Sequence, residues 1–165
     1  MGSGKSVSGR KLATSLGLSF ADLDTLIEQN YKMTIPGIFS QFDETVFRKL
    51  ETKVLTDFIK NDNFVLSCGG GTPCFNNNME LIKKNGISVY IKLSPKSLAD
   101  RLIKSKTKRP LIQNIEPEQL VSKIEEMLYY RENFYSQSNI TIEGLNLKVG
   151  DIIEQITALN CTGKE

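Results

Sequence analysis

The chain has 165 residues, 39% of them hydrophobic and 24% charged, with a net charge of +2, which suits one soluble domain with a real core. So small a net charge gives no argument for a nucleic-acid or membrane-surface partner, though it leaves room for a local cationic pocket. There is no histidine, which excludes Ser-His-Asp and Cys-His mechanisms and leaves a carboxylate, Lys or Tyr as any general base.

Lys5 to Leu16 carries Val7, Leu12, Ala13 and Leu16 near helical spacing, and Gly17 follows as a C-cap glycine would. A strand over Leu18 to Leu23 delivers Asp22 and Asp24 at its end. Helices are predicted over Leu26–Tyr31 and Pro36–Phe42, then over Glu44–Lys60, where Phe47, Leu50, Val54, Leu55 and Phe58 recur at helical spacing. Phe64 to Cys68 is a short apolar run ended by Gly69-Gly70-Gly71, the mark of a buried parallel strand feeding a tight loop. A helix over Asn77–Lys84 and a strand over Ile87–Leu93 follow. Ser94 as N-cap and Pro95 in the first turn then open a helix through about Lys104.

Residues 105–116 are polar and basic and read as a lid loop. A helix over Pro117–Phe134, a strand over Ile140–Glu143 and a helix over Lys148–Leu159 close the chain. Helices and strands in alternation predict an α/β domain of three layers, with a central parallel sheet covered on both faces. The whole chain reads as a single domain, with residues 25–60 as a helical region for substrate. Cys68, Cys74 and Cys161 are odd in number and lack zinc spacing, so they read as buried or incidental thiols of a reducing compartment. No apolar run approaches the ~20 residues of a membrane span, and no secretory signal precedes the first helix.

Gly2-Ser3-Gly4-Lys5-Ser6 matches the second half of G-x-x-x-x-G-K-[ST], the phosphate loop. Its glycines let successive backbone N–H groups turn around a polyphosphate. Lys5 supplies a point charge, the Ser6 hydroxyl a ligand for Mg²⁺, and the helix its positive end. Met1 to Ser6 also fits the myristoylation pattern M-G-x-x-x-[ST], but the phosphate-loop reading accounts for the amphipathic helix that follows. A phosphate loop hangs between a central strand and its helix. The expectation is therefore an upstream strand, with Met1 an internal methionine. Each large side chain of such a strand is worth ~1.5–3 kcal/mol when buried, against a net domain stability of ~5–15 kcal/mol.

Asp22 and Asp24, at the carboxyl end of a parallel strand, face the crevice where ligands bind. They suit one group directed at a metal and one at an acceptor hydroxyl, or else a solvated turn with an N-cap. Arg48 and Glu51 are neighbours on one helix face, either a surface ion pair or a guanidinium held ready for a carboxylate ligand. Three glycines after a strand let backbone approach a ligand closely, with Ser67 just before them within reach of a metal-bound water. Arg109, in Lys108-Arg109-Pro110-Leu111, lies on the polar loop, where an arginine can close over a transferring phosphate and exclude water. A plain basic loop explains it equally. Arg131 stands one turn before Tyr135 and could equally be a surface arginine.

The ordered set G-S-G-K-S, D-x-D, F-R-x-x-E, G-G-G, R-P-L and R-x-x-x-Y resembles the shikimate kinase family from Met1 to about Leu159. The resemblance implies a nucleoside- and shikimate-kinase-like fold and transfer of the γ-phosphate of ATP to the 3-hydroxyl of shikimate, with one Mg²⁺. It assigns Gly2, Ser3, Gly4, Lys5 and Ser6 to ATP, and Ser6 with Asp22 to the metal, Asp22 through water. Asp24 would bind the ring hydroxyls and orient the attacking one. Arg48 and Arg131 would clamp the carboxylate, with Gly70 and Gly71 on the hydroxyls or nearby phosphate. Arg109 would be the lid arginine, and Arg101 resembles the adenine-stacking arginine. Residues 136–147 contain no arginine, which leaves adenine contacts there to backbone groups. The family also implies a cytoplasmic monomer on the route to chorismate and the aromatic amino acids. Rival readings are a gluconate or nucleoside monophosphate kinase, disfavoured by F-R-x-x-E with Arg131, and a non-catalytic nucleotide-binding protein.

Overall fold

The computed structural model describes residues 2–105 and 115–162. Its elements in chain order are α1 (Lys5–Leu16), β1 (Ser19–Asp22), α2 (Leu23–Tyr31), α3 (Ile35–Gln41), α4 (Glu44–Phe58) and β2 (Phe64–Ser67), then a 3₁₀ turn (Thr72–Cys74). They continue as α5 (Asn78–Asn85), β3 (Val89–Lys92), α6 (Pro95–Ile103), α7 (Pro117–Tyr135), β4 (Ile140–Glu143) and α8 (Val149–Thr162). The α/β class predicted from the alternating pattern is the one observed.

Local chemistry sets most of the boundaries. Gly17, at φ 67°, ends α1 with its N–H on the carbonyls of Ala13 and Thr14, a left-handed cap that a side chain would strain. Thr34, Asp43 and Ser94 each cap a helix by accepting the backbone N–H three residues on. The second helix starts at Leu23, earlier than hydrophobic spacing indicated, because Asp22 ends the strand and caps the helix at once. Asp24 therefore lies in the first turn of α2, where its charge faces the positive helix end.

Among the described residues all pairing is parallel: β1 with β2 in the register Ser19 to Phe64 and Asp22 to Ser67, and β3 with β4 in the register Val89 to Ile140. The sheet layer thus consists of two parallel pairs, with a cleft of about 560 Å³ between β2 and β3. Alternation along the strands builds three layers. Val65, Val89 and Ile91 pack with Leu12 of α1 and Ile152 of α8. On the other face Leu66 packs with Leu23, Ile27, Phe47 and Leu55 from α2 and α4, and the Tyr90 ring lies 4.8 Å from that of Tyr135 on α7. A third cluster, around Leu98, Leu102, Leu120 and Ile124, joins α6 to α7.

Candidate active site

The register of β1 against β2 puts Asp22 beside Ser67 at the carboxyl ends of both strands, and α1 begins over the same point. Gly2 and Gly4 have φ of 70° and 86°, the left-handed region that turns successive N–H groups to one side and that glycine occupies without strain. Ser6 Oγ donates to Asp22 Oδ2 at 2.6 Å and lies 3.3 Å from Ser67 Oγ. Lys5 Nζ lies 3.3 Å from Ser67 Oγ and 3.5 Å from Asp22 Oδ2. The other Asp22 oxygen accepts the Asp24 N–H at 3.1 Å, so the helix cap fixes the carboxylate that faces Ser6.

Ser6, Ser67 and Asp22 make a cluster of hard oxygens, the ligand type for Mg²⁺. Among the described residues no three His, Cys, Asp or Glu side chains converge on one point. That fits an ion held by one or two protein oxygens and completed by phosphate and water, the usual arrangement for Mg²⁺. Arg101 braces the loop from outside, with Nη1 donating to the Ser3 carbonyl at 3.1 Å and Nη2 to the Gly144 carbonyl at 3.2 Å.

The second half of the site is built on α4. Arg48 and Glu51 are 6% and 1% exposed, so the pair three residues apart is buried and not the surface bridge that spacing alone allowed. Arg48 donates from Nε and Nη2 to Glu44 Oε1 at 3.1 and 2.8 Å, and from Nη1 to Glu51 Oε2 at 2.8 Å. Thr72 donates to the other Glu51 oxygen at 2.6 Å. Burial by itself lowers the Arg48 pKa, but the charges and hydrogen bonds of Glu51 and Glu44 outweigh it and hold the guanidinium above its usual value. Its plane lies over the rings of Phe75 and Phe47, 4.3 and 5.0 Å from their centroids. Three of its five N–H groups are engaged by the two glutamates, leaving one on each terminal nitrogen for a planar anion.

The glycine turn closes on this pair. A β-carbon on Gly71 would sit 2.7 Å from Arg48 Cζ, so only glycine lets that backbone lie against the guanidinium. A β-carbon on Gly69 would be 3.0 Å from Thr72 Oγ1, 3.3 Å from Glu51 Oε1 and 3.4 Å from Asp24 Oδ1. The turn therefore brings Asp24 to the same place. The Gly70 carbonyl accepts the Tyr135 hydroxyl, which ties α7 and its Arg131 to the turn. Burial lifts the Cys74 thiol to about 11 against the charges of Arg131 and Arg48, which both act on it.

Lys5, Ser6, Asp22, Asp24, Arg48, Gly70, Gly71 and Arg131 thus gather from five separated stretches, while Arg109 lies outside the described residues. Sequence reasoning missed Glu44 and Thr72, the further partners of the Arg48–Glu51 pair. Glu44, one turn before Arg48, was open to the same spacing argument. Thr72 was not, since only the chain reversal after the glycines brings it to Glu51.

The family model described as "Shikimate kinase" matches residues 1–159. The chain belongs to the shikimate kinase family, whose members are ATP-dependent kinases with an alcohol acceptor. It is 42% identical to the shikimate kinase of Azobacteroides pseudotrichonymphae over 157 residues, 94% of this chain and 92% of that one. The shikimate kinase of Parabacteroides distasonis is 39% identical over 143 residues, 87% and 83% of the two chains. Among solved structures, shikimate kinase from Bacteroides thetaiotaomicron superposes with a TM-score of 0.87 at 32% identity, covering 96% and 93% of the two chains. Shikimate kinase from Acinetobacter baumannii, solved in complex with shikimate, gives 0.85 at 35% identity, covering 99% and 90%. These matches bear out the family that the ordered motifs resemble.

Proposed function

We propose that this chain transfers the γ-phosphoryl group of ATP to the 3-hydroxyl of shikimate, giving shikimate 3-phosphate and ADP. The observation that carries the acceptor is the buried Arg48, braced by Glu44 and Glu51 with donors to spare, across the glycine turn from Asp24. A carboxylated polyol fits that spacing of functions: a planar anion at the arginine and a hydroxyl at the aspartate. Arg131 supplies the second cation of the clamp, and the Gly70–Gly71 backbone borders the ring hydroxyls.

Phosphoryl transfer rests on positioning and charge neutralisation. Gly2, Ser3 and Gly4 aim backbone donors at the phosphates, and Lys5 brings a positive charge to the outer ones. Ser6 and, through water, Asp22 would hold one Mg²⁺, which when bound neutralises phosphate charge. Asp24 orients the attacking hydroxyl and takes its proton late, since an ordinary carboxylate is too weak a base to ionise an alcohol in advance. Arg101 borders the nucleotide from the loop side. Arg109, on a lid of residues about 105–116, covers the transferring group and keeps water out. Residues 25–60 form the substrate-binding helical region of a single domain. The enzyme works as a monomer in the cytoplasm, on the route to chorismate and the aromatic amino acids.

The test is Mg·ATP turnover with shikimate, gluconate and nucleoside monophosphates offered separately, with ADP release and phosphorylated product both followed. Turnover on shikimate alone is expected. Phosphorylation of a nucleotide in its place would remove the carboxylate clamp from Arg48 and Arg131, and phosphorylation of gluconate would keep the clamp and reassign the polyol.

A further inference from the structure

Three glycines in a row leave the turn after β2 with little conformational preference of its own. The peptide between Gly70 and Gly71 is the freest, since neither flanking residue carries a β-carbon to hinder its rotation. What holds it comes from α7. The Tyr135 hydroxyl donates to the Gly70 carbonyl, while Cys74 Sγ, a weak donor, reaches the same oxygen only at 3.9 Å. Tyr135 is itself held in place. Its ring lies 4.8 Å from that of Tyr90, and the Tyr90 hydroxyl donates to Glu132 at 3.1 Å, whose other oxygen takes Lys92 Nζ at 2.9 Å. Burial lifts the Tyr135 hydroxyl to about 12, so it stays a donor at neutral pH.

In a trans peptide the C=O and the following N–H point opposite ways, and the described residues contain no cis bond. With its carbonyl turned to Tyr135, the Gly70–Gly71 peptide aims the Gly71 N–H away from the tyrosine. Gly71 is buried, and among the described residues no protein group accepts that N–H, although a buried N–H calls for a partner. The same backbone lies against the Arg48 guanidinium. A flipped peptide would offer a carbonyl oxygen in place of the N–H, and so repel an anion. We propose that Tyr135 is a positioning residue for the acceptor: its hydroxyl selects the peptide orientation in which the Gly71 N–H, and not the Gly70 carbonyl, meets the anionic end of the acceptor beside Arg48. The inference rests on the carboxylated acceptor read from Arg48 above. Tyr135 touches no reacting group and acts through the peptide alone. It sets affinity for the acceptor and leaves the nucleotide half of the site, built on Gly2 to Ser6, as it is.

Tyr135→Phe keeps the ring on Tyr90 and removes the hydroxyl. Tyr90→Phe removes a hydroxyl from the same wall without touching Gly70, and serves as the comparison. Amide relaxation dispersion on the full chain without substrate reads the peptide directly, and steady-state kinetics with shikimate and Mg·ATP read the consequence. In Tyr135→Phe the Gly71 amide signal is expected to shift or to broaden by microsecond-to-millisecond exchange, as it does neither in the unsubstituted chain nor in Tyr90→Phe. KM for shikimate should rise on the order of tenfold with KM for ATP unchanged, and Tyr90→Phe should leave both constants where they were. An undisturbed Gly71 amide, an unmoved KM for shikimate, an equal rise in both KM values, or the same changes in Tyr90→Phe would each overturn the proposal. Absence of turnover on shikimate in the unsubstituted chain would remove the acceptor reading instead, and the amide signals would then decide by themselves whether Tyr135 sets the peptide.

Discussion

The backbone of Gly71 lies against the guanidinium of Arg48, so closely that a β-carbon there would come within 2.7 Å of Cζ and of Nη1. The arginine cannot yield freely, because Glu44 and Glu51 hold it from the other side. Gly71→Ala is therefore expected to displace the turn or the arginine by a fraction of an ångström or more. Misplacement on that scale costs up to ~10²-fold. The loss should fall on KM for shikimate, with KM for ATP nearly unchanged, as steady-state kinetics in both substrates would reveal. Equal loss for both substrates would instead mean that the whole sheet edge had moved.

Glu51 is 1% exposed and carries both the Arg48 ion pair and the Thr72 hydroxyl. Glu51→Ala leaves a buried guanidinium short of one partner, a change that costs ~3–5 kcal/mol. Thr72→Val removes one hydrogen bond and strands one carboxylate lone pair, worth ~1–3 kcal/mol. Urea unfolding of the two variants should rank them in that order. A smaller loss for Glu51→Ala would mean that Glu44 alone neutralises Arg48.

Asp24 sits in the first turn of α2 with its carboxylate near the glycine turn. Asp24→Asn preserves shape and removes the charge. A general acid–base group contributes ~10²–10⁴-fold, so kcat should fall within that range while the thermal midpoint changes little. Full turnover in the asparagine variant would end the assigned role.

The Cys74 thiol is pushed up from 9.0 to about 11, with burial as the main cause, and burial likewise lifts the Tyr135 hydroxyl from 10.0 to about 12. Below pH 9 both groups are protonated whether the chain is folded or not, and their contribution to stability is complete. Between pH 9 and about 12 the unfolded chain releases protons that the folded chain retains, so stability falls as pH rises. Cys74→Ala should flatten the lower part of that decline in thermal melts taken across the alkaline range. An unchanged alkaline slope in the variant would show that the thiol titrates alike in both states.

The order of helices and strands was legible in the sequence because it rests on local rules: hydrophobic spacing, the N-cap at Ser94, and Gly17 as a left-handed stop. The ordered motifs likewise carried the family, since each is short and contiguous. Spacing could not say whether Arg48 and Glu51 are exposed or buried. That depended on Phe75 and the glycine turn closing over Arg48, contacts made across more than twenty positions of chain. Nor could it show that the Asp22 carboxylate both caps a helix and faces Ser6, because the second contact follows from packing α1 over the ends of β1 and β2. Residue types and short-range spacing determined which chemistry this chain carries. Tertiary packing alone decided which of those groups meet and which lose their water.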